Sequence, residues 1–418
     1  MILYNLVIHF FYLGLRIAAL FKPKAKLWVK GRTKWELELQ KAVEKFELKD
    51  SIWMHCASLG EFEQGRPLLQ KIRNENAAQK IVLTFFSPSG YEIQKHFPLV
   101  DYVCYLPLDT PENSKIFIDR LQPKVAIFVK YEFWLNFLFQ LQIKKVPTFL
   151  ISTVIKKHQP FFKWYGSLFR KALASFQTIY TQDKDSLFLL NTLGIKTGVL
   201  AGDTRFDRVL NICQSPQKNE AMAQFAKNSF VIVAGSSWQT DETFLVKSFL
   251  KLRVDHPNLK LIIAPHEIDL ANIERLKKML VINDIPFHLF SEQEKDFTHP
   301  VIILNTMGIL SSVYQYGTIA FVGGGFDNGI HNILEPSVFG LPVLFGLNHH
   351  KFNEATDMIA INAGFEVSNE VSLTKQIDLF LTNKTFLTQT SQLSKNYVLN
   401  NSGATDRIYS AIKNQLVV

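Results

Sequence analysis

Cysteine is scarce in this chain of 418 residues, and its three cysteines, Cys56, Cys104 and Cys213, lie far apart in the sequence. None of them belongs to a CxxC pair or has a histidine at the spacing of a metal ligand. The pattern indicates a reducing compartment and predicts that the protein holds no structural metal.

Repeats and biased tracts are also missing. The chain has no internal repeat and no low-complexity segment, and charged residues make up 20% of it against 47% hydrophobic residues. This composition excludes a disordered protein. A chain of this length has room for two domains of ordinary size, each with its own core.

Acidic residues are outnumbered, with 37 Asp and Glu against 46 Lys and Arg and a formal net charge of +9. Such an excess predicts an anionic partner: a nucleic acid, an acidic membrane surface or a phosphorylated substrate. The sequence lacks a helix-turn-helix, RNP or zinc signature, and its positive charge is concentrated near the N-terminus. We therefore predict no nucleic-acid partner, and a membrane-associated nucleic-acid-binding protein stays an alternative interpretation.

The N-terminal residues 1–21 are mostly apolar, although His9 and Arg16 interrupt them, and the basic segment 22–32 that follows contains no acidic residue. The apolar stretch could span a membrane, lie in the interface as an amphipathic anchor, or be a buried first helix. We predict that residues 1–32 form a membrane anchor with a basic segment whose Lys and Arg side chains meet anionic lipid headgroups.

Short apolar runs alternate with longer amphipathic stretches along the rest of the chain. Near-continuous apolar runs are typical of parallel strands that helices cover on both faces. The fold class is therefore α/β, with two Rossmann-like doubly wound domains in tandem. The strand pattern is lost and the sequence turns polar at residues 203–225, which predicts a linker there and domains over 33–210 and 211–418.

The most specific motif is the stretch "FVGGGFDNGIHNILEP", in which an apolar strand leads into a glycine-rich loop and then a helix entered near His331 and Asn332. Gly324 and Gly325 let the backbone approach a ligand, and the helix N-terminus offers N–H groups to a phosphate. Glu335, one helical turn beyond His331, is placed to accept hydrogen bonds from ribose hydroxyls. The alternative is a tight turn followed by a solvated helix residue.

Three other predicted strand ends carry weaker signals, because ligands collect beyond the carboxyl ends of parallel strands. Serines there can hold phosphate oxygens, but plain helix capping explains them equally well. These additional candidates for the nucleotide-sugar site are Ser236, Ser237, Pro265, His266, Met307 and Gly308.

Two carboxylates are the candidate catalytic groups of the first domain. Glu61 heads a predicted helix at the end of the run "SIWMHCAS", and Glu132 follows the run "VAIFV" with Trp134 beside it. An ionised carboxylate at such an edge can take a proton from an attacking hydroxyl. The alternative for Glu61 is a charge that only complements the helix N-terminus.

Four blocks of the sequence resemble the signature blocks of the bacterial 3-deoxy-D-manno-octulosonic acid (Kdo) transferases, and their order and spacing carry the resemblance. The blocks are "HCASLGE" at 55–61, "YEFWLN" at 131–136, "NTMGIL" at 305–310, and "FVGGGFDNGIHNILEP" followed by "GLPVLFG". The family implies a two-domain GT-B glycosyltransferase, monotopic at the cytoplasmic face of the inner membrane. It moves Kdo from CMP-Kdo to a lipid A precursor with inversion, so that CMP-Kdo is a substrate and no cofactor is expected.

The resemblance also assigns roles by position. Glu61 matches the family's catalytic base, Glu132 its second functional carboxylate, and His331, Asn332 and Glu335 its His-Asn-x-x-Glu motif on the nucleotide side. Residues 33–210 would then bind the acceptor and residues 211–418 the nucleotide sugar.

The sequence departs from the family pattern at several positions. His266 stands where the family has a phosphate-binding Arg, Lys130 replaces a carboxylate, and Ile309 replaces an acidic residue. These changes indicate a divergent branch and leave Glu61 in place.

A DxD triplet, the metal-binding signature of many glycosyltransferases, is also missing. A leaving group with one phosphate can be stabilised by helix N-termini and basic side chains. We therefore predict metal-independent transfer. A GT-B enzyme that uses a UDP-sugar stays an alternative.

Overall fold

The computed structural model describes residues 1–292 and 297–416, and the contacts within them divide the chain into two compact units. Unit 1 is Met1–Arg208 together with the chain from Ser402 onward, and unit 2 is Val209–Asn401.

The described residues of unit 1 form a seven-stranded sheet in which all neighbouring strands pair in parallel. The strand order is β3-β2-β1-β4-β5-β6-β7. The strands are β1 (Ile52–Cys56), β2 (Ile81–Phe85), β3 (Tyr102–Tyr105), β4 (Val125–Val129), β5 (Thr148–Thr153), β6 (Thr178–Thr181) and β7 (Gly198–Leu200).

Helices cover both faces of this sheet, which is why all residues of β1, β2, β4 and β5 are buried. Successive β1 side chains join different cores: Trp53 packs in one apolar cluster, and Met54 and Cys56 in the other. The helices up to the unit boundary are α1 (Ile2–Ala18), α2 (Pro23–Lys30), α3 (Trp35–Phe46), α4 (Leu59–Glu75), α5 (Pro88–Gln94), α6 (Pro111–Leu121), α7 (Leu135–Ile143), α8 (Ser167–Ala174), α9 (Lys184–Thr192) and α10 (Thr204–Gln214).

Unit 2 repeats the design. Its described residues form a seven-stranded parallel sheet in the order β10-β11-β9-β8-β12-β13-β14. The strands are β8 (Phe230–Ser237), β9 (Leu259–Pro265), β10 (Phe287–Leu289), β11 (Val301–Ile303), β12 (Ile319–Val322), β13 (Val343–Phe345) and β14 (Gly364–Glu366).

The remaining helices follow in chain order. They are α11 (Glu220–Ala226), α12 (Gln239–Arg253), α13 (Leu270–Ile282), α14 (Leu310–Val313), α15 (Leu334–Val338), α16 (Asn353–Ala360), α17 (Glu370–Thr382), α18 (Lys384–Asn401) and α19 (Ala404–Leu416). Short 3₁₀ turns occupy Pro160–Phe162, Phe290–Glu292 and Tyr314–Tyr316. The prediction of two doubly wound parallel-sheet domains is confirmed.

In each sheet the chain connections diverge between two adjacent central strands. Chain connections run outward in opposite directions from β1 and β4 in unit 1, and from β8 and β12 in unit 2. Loops that leave neighbouring strands in opposite directions open a crevice at the carboxyl edge, where ligands bind in folds of this class. The fold thus selects the loops after β1 and β4 in unit 1, and those after β8 and β12 in unit 2, as the candidate functional regions of the two units.

Helix α1 buries Ile8 but leaves most of its large apolar side chains exposed, including Leu3, Phe10 and Ile17 at 75%, 69% and 56%. This exposure contradicts the alternative that residues 1–21 form a buried first helix. Within residues 1–292 and 297–416, the helices are all too short or too polar to cross a membrane.

The C-terminal helix corrects the predicted extent of the second domain, which was residues 211–418. Ile408, Ile412 and Leu416 of α19 are buried in the cluster that contains the β1 side chains Met54 and Cys56. An i, i+4 apolar stripe predicts a helix with one buried face, but it does not indicate which core that face joins.

The predicted linker at 203–225 also differs from the structure, since it contains α10 and α11. The units divide between Arg208 and Val209, inside α10 and two residues before the predicted boundary. The polar segment at 203–225 lacks strand signals because it is helical, and the chain passes from unit 1 to unit 2 within α10.

We predict that Ile412→Ala destabilises unit 1 by about 2–5 kcal/mol, because it leaves a cavity in a core where Ile412 is fully buried. Calorimetry should show a lower unfolding temperature for one of two transitions. Ile143→Ala is the matched control, since Ile143 is 71% exposed and such changes stay within about 0.5 kcal/mol. Equal unfolding temperatures for the two variants would contradict the placement of α19.

Candidate active site

Glu61 lies in the first turn of α4, directly after the loop that leaves β1. The hydroxyl of Ser58, the N-cap residue, donates a hydrogen bond to the Glu61 carboxylate. Gly65 lets α4 pack closely on the sheet, since a Cβ there would lie 2.8 Å from the Met54 sulfur and 3.2 Å from Val129. The half-buried carboxylate is thereby held at the positive end of the helix, at the carboxyl edge of the sheet.

Glu132 lies on the loop after β4, on the other side of the strand-order reversal. Lys130 directly follows β4 and has a φ of 70°, a left-handed conformation that is uncommon for a non-glycine residue and turns the chain sharply. The Glu132 carboxylate is 9% exposed. Its Oε2 accepts hydrogen bonds from Trp134 Nε1 at 2.6 Å and lies 3.1 Å from His55 Nε2.

The fold brings the two predicted catalytic carboxylates to one edge. Burial raises the pKa of the Cys56 thiol, and the nearby charges of Glu61 and Glu132 raise it further. Both carboxylates therefore lie within electrostatic range of the residue that ends β1.

The neighbouring Glu63 has a different environment. Its carboxylate forms an ion pair with Arg208 of α10 at 2.5 Å and lies 3.7 Å from Arg66. Glu63 therefore ties α4 to the start of α10, a contact that sequence spacing did not indicate.

Helix α1 is fastened beside this edge by hydrogen bonds. Tyr4 donates to the Asp109 carboxylate at 2.5 Å, and Asn136 donates to Asn5 at 3.0 Å. Asp109 also accepts from the backbone N–H groups of Asn136 and Phe137 at 3.2 and 3.0 Å. Burial raises the pKa of Asp109 to about 6, and these hydrogen bonds oppose the rise.

Aromatic rings extend that attachment to Trp134. Phe86 stacks on Trp134 with ring centroids 4.6 Å apart and also packs against Phe11 of α1 and Trp28 of α2. The buried Arg32 guanidinium covers the Trp28 ring at 3.7 Å. It donates to the backbone carbonyl oxygens of Trp28, Phe86 and Leu106.

In unit 2 the glycine-rich loop follows β12. Gly324 has a φ of 91°, and a Cβ on Gly323 would lie 2.4 Å from the Ser236 carbonyl oxygen, so side chains do not fit here. Asp241, in the first turn of α12, accepts hydrogen bonds from the N–H groups of Gly324 at 2.9 Å and Trp238 at 2.8 Å. Burial raises the pKa of this carboxyl to about 6.

Three rings stand together at the same edge. His266 stacks on His331 with centroids 4.2 Å apart and on Trp238 at 4.9 Å. Trp238 Nε1 donates to His331 Nε2 at 3.1 Å. Burial, and secondarily the neighbouring His266, lowers the pKa of His331 to about 4. At neutral pH His331 is therefore an uncharged acceptor, and the exposed His266 presents its edge to solvent.

The predicted helix after the glycine loop begins later than expected. Helix α15 starts at Leu334, so His331 and Asn332 precede it and Glu335 lies in its first turn. Asn332 accepts from the Leu334 N–H at 3.0 Å and donates to Glu335 at 3.1 Å. Helix α15 has only five residues and contains Pro336, and His331 and Asn332 remain in the loop before it.

The other candidates are distributed unevenly. The Ser237 hydroxyl is buried and donates to Glu242 at 3.0 Å, while Ser236 is half-buried with a φ of 52°. Pro265 is buried at the end of β9. On the loop after β11, Met307 is 81% exposed and Gly308 has a φ of 82°. Gly325 is buried, and a Cβ there would lie 2.5 Å from the Gly346 nitrogen.

Sequence reasoning missed Asp109, Trp238 and Asp241. Asp109 lies four residues after β3, at the end of the mostly apolar stretch "YVCYLPLD", and Asp241 stands three residues after Trp238 in a capping-box position. The sequence positions of Asp109 and Asp241 could therefore have indicated buried carboxylates that accept hydrogen bonds.

Comparison with known proteins identifies the family. A model of the 3-deoxy-D-manno-octulosonic-acid transferase (kdotransferase) family matches residues 26–208. The 3-deoxy-D-manno-octulosonic acid transferase of Aquifex aeolicus is 33% identical over 342 residues, which cover 80% of this chain and 87% of that protein. This chain belongs to the Kdo transferase family. The Haemophilus influenzae enzyme of the same name is 26% identical over 87% of this chain and 86% of its own length.

Solved structures agree with the fold of this Kdo transferase. UDP-GlcNAc 2-epimerase from Neisseria meningitidis aligns with a TM-score of 0.62 at 15% identity, covering 87% of this chain and all of that one. A glycosyltransferase from Rickettsia africae aligns with a TM-score of 0.56 at 13% identity over 88% and 99% of the two chains. At such identities the likeness concerns the fold alone.

We predict that the unfolding temperature of unit 2 falls as the pH is lowered from 6.5 towards 4, and falls less in His331→Gln. His331 takes up a proton at its ordinary pKa of 6.5 when unfolded but only near 4 when folded, so the unfolded state holds more protons in this window. The raised pKa of Asp241 acts in the opposite direction, and comparison with the variant isolates His331.

Thermal unfolding measured at several pH values checks this prediction. His158→Gln is the control, because His158 is exposed in unit 1, and it should keep the wild-type pH dependence. Parallel curves for wild type and His331→Gln would show that His331 titrates normally.

Proposed function

We propose that this Kdo transferase moves Kdo from CMP-Kdo to a hydroxyl of a lipid A precursor with inversion at the anomeric carbon. The observation that carries the proposal is the position of Glu61, in the first turn of α4 at the strand-order reversal of unit 1. Membership of the family supports the donor sugar, and the resemblance of the sequence blocks supports the acceptor.

In this proposal Glu61 is the general base. It takes the proton of the acceptor hydroxyl while that oxygen attacks the anomeric carbon of Kdo. The bond from this carbon to the phosphate oxygen breaks, and CMP leaves with the bonding electron pair. Glu132 is the second functional carboxylate, and its two hydrogen-bonding partners, Trp134 and His55, fix its direction.

Unit 2 is proposed to bind the nucleotide. The glycine loop at Gly324 and Gly325 brings backbone to the edge, and Glu335 is placed to accept ribose hydroxyls. His266 stands where the family pattern has an Arg, and its exposed edge can donate an N–H to a phosphate oxygen. One departing phosphate needs modest charge compensation, so we propose transfer without a metal ion. Among the described residues, no group of three or more His, Cys, Asp or Glu is arranged to hold one.

We further propose that α1 attaches the enzyme to the cytoplasmic face of the inner membrane. The exposed apolar face of α1 supports this proposal, as does the basic segment that follows it. A membrane surface with anionic lipids would neutralise the basic segment.

We predict that Glu61→Gln loses at least about 10²-fold in turnover, since the amide cannot accept the proton that a positioned base removes. The assay is transfer from CMP-Kdo to a tetraacylated lipid A precursor, followed by mass analysis of the lipid. Stabilisation of the protein by CMP against heat should be unchanged.

Glu220→Gln is the matched control, because Glu220 is an exposed glutamate in the first turn of another helix, α11. It should keep full turnover. If Glu61→Gln transferred Kdo as fast as this control, Glu61 would be a helix-end charge. Stabilisation by UDP and not by CMP would instead point to a UDP-sugar donor.

We predict that the double variant Phe10→Asp, Ile17→Asp leaves the membrane fraction. Both side chains are exposed, at 69% and 56%, and lie on one face of α1 two turns apart. The substitutions spare Tyr4 and Phe11, which attach α1 to unit 1. The control Ile282→Asp places the same charge at an 80% exposed position of unit 2. Equal sedimentation of the double variant and the control with membranes would contradict the proposal that α1 is a membrane anchor.

A further inference from the structure

A series of hydrogen bonds runs from the core of unit 1 to Glu132. Trp53 Nε1 donates to Thr84 Oγ1 at 2.8 Å, and Thr84 Oγ1 lies 2.9 Å from His55 Nδ1. His55 Nε2 lies 3.1 Å from Glu132 Oε2, which also accepts from Trp134 Nε1 at 2.6 Å. The series thus joins side chains of β1 and β2 to the loop after β4.

These contacts decide which nitrogen of His55 carries the proton. The Thr84 oxygen already accepts from Trp53, so its own hydrogen is free for an acceptor. His55 Nδ1 at 2.9 Å is a far better acceptor than the Met54 carbonyl oxygen at 3.5 Å. Nδ1 therefore accepts, and the ring proton is on Nε2.

The Nε2–H tautomer is also the one that suits Glu132. With the proton on Nε2, the imidazole donates to the Glu132 carboxylate, while Trp134 supplies a second N–H to the same oxygen. Trp134 Nε1 also lies 3.0 Å from His55 Nε2, but its single hydrogen goes to the carboxylate oxygen, which is closer at 2.6 Å and the stronger acceptor. With the proton on Nδ1, a nitrogen lone pair would face a carboxylate oxygen at 3.1 Å, which is repulsive.

Apolar surroundings make this series costly to maintain. Trp53, His55 and Thr84 are fully buried. The Trp53 ring packs against Phe117 and Phe128 with centroids 5.0 and 5.3 Å away. Buried polar groups are expensive unless every one is satisfied, and apolar side chains would fill this space at no such cost. A functional role for Glu132, where the series ends, explains why these buried polar side chains are present.

We propose that His55 is a positioning residue for Glu132, and that Thr84, itself oriented by Trp53, fixes His55 in the Nε2–H tautomer. The carboxylate then stays aimed at the reaction centre with its Oε2 held by two donors. This inference rests on the proposed function of Glu132 in Kdo transfer.

The tautomer is measured first, on the full-length protein with ¹⁵N-labelled histidine. The ¹⁵N–¹H correlation pattern of His55, assigned by its loss in His55→Gln, should be that of an Nε2–H imidazole. In Thr84→Val, which removes the hydroxyl and keeps the shape, His55 should lose this single pattern. An Nδ1–H pattern in the wild type overturns the inference, and it does so whatever the role of Glu132.

Turnover tests the functional half. Thr84→Val should lower kcat by about 10- to 100-fold, as expected for a displaced reacting group, with an unchanged KM for CMP-Kdo. Thr84→Ser keeps the hydroxyl and should stay near the wild type. Equal kcat values for the Val and Ser variants overturn the inference.

A double substitution distinguishes positioning from general damage to the core. The amide of His55→Gln can donate to Glu132 without any help from Thr84. Adding Thr84→Val to His55→Gln should therefore cost little more, whereas independent structural effects would multiply. Multiplied losses overturn the inference.

Glu132→Gln separates the two possible failures. If it turned over at the wild-type rate while His55 showed the Nε2–H pattern, the proposed function of Glu132 would have failed, and the positioning role with it. If it lost turnover while Thr84→Val kept it, only the positioning role would have failed.

Discussion

Parallel pairing of all the strands in both sheets is the constraint on which the functional arrangement depends. A parallel strand must be followed by a crossover that returns to the starting edge, so every strand of a sheet delivers its carboxyl end to one side. Connections diverge between β1 and β4 in unit 1 and between β8 and β12 in unit 2. Glu61 and Glu132 follow β1 and β4, while Trp238 and the glycine loop follow β8 and β12, and His266 follows the neighbouring β9. Within each unit, residues far apart in sequence thus meet at one edge for topological reasons.

The N-terminal helices join this arrangement through aromatic and hydrogen-bonded contacts. Phe86 touches α1 through Phe11 and touches Trp134, which donates to Glu132. Arg32 donates to three backbone carbonyl oxygens, and the faces of the Trp28, Phe86 and Tyr105 rings around it attract its charge. In an enzyme whose proposed acceptor is a lipid, the helix proposed to meet the membrane thus packs against the residues that hold the second carboxylate.

Local signals in the sequence were sufficient for much of the fold. Apolar runs of five or six residues predicted β1, β2, β4 and β5, because strands buried on both faces have no polar period. The sequence around β7 and β14 contains no apolar run long enough to indicate a strand, whereas the equally short β10, β11 and β13 lie within longer apolar runs. The position of Glu61 at a strand-to-helix turn could be predicted from the sequence, and so could the glycine loop. The partners of His55, Glu63 and Asp109 were not, since each contact joins residues distant in sequence. For the same reason, the sequence did not show that α19 packs in unit 1.

Unit 1 is discontinuous, and this has a consequence for synthesis on the ribosome. The core cluster around β1 lacks Ile408, Ile412 and Leu416 until these residues have been synthesised, about 200 residues after Arg208. At ordinary rates of translation this interval lasts about 10–40 s. Unit 2 is complete in sequence before unit 1, although it begins later. The apolar surface that α19 covers stays exposed to solvent during this interval, so unit 1 cannot complete its core while unit 2 can already fold.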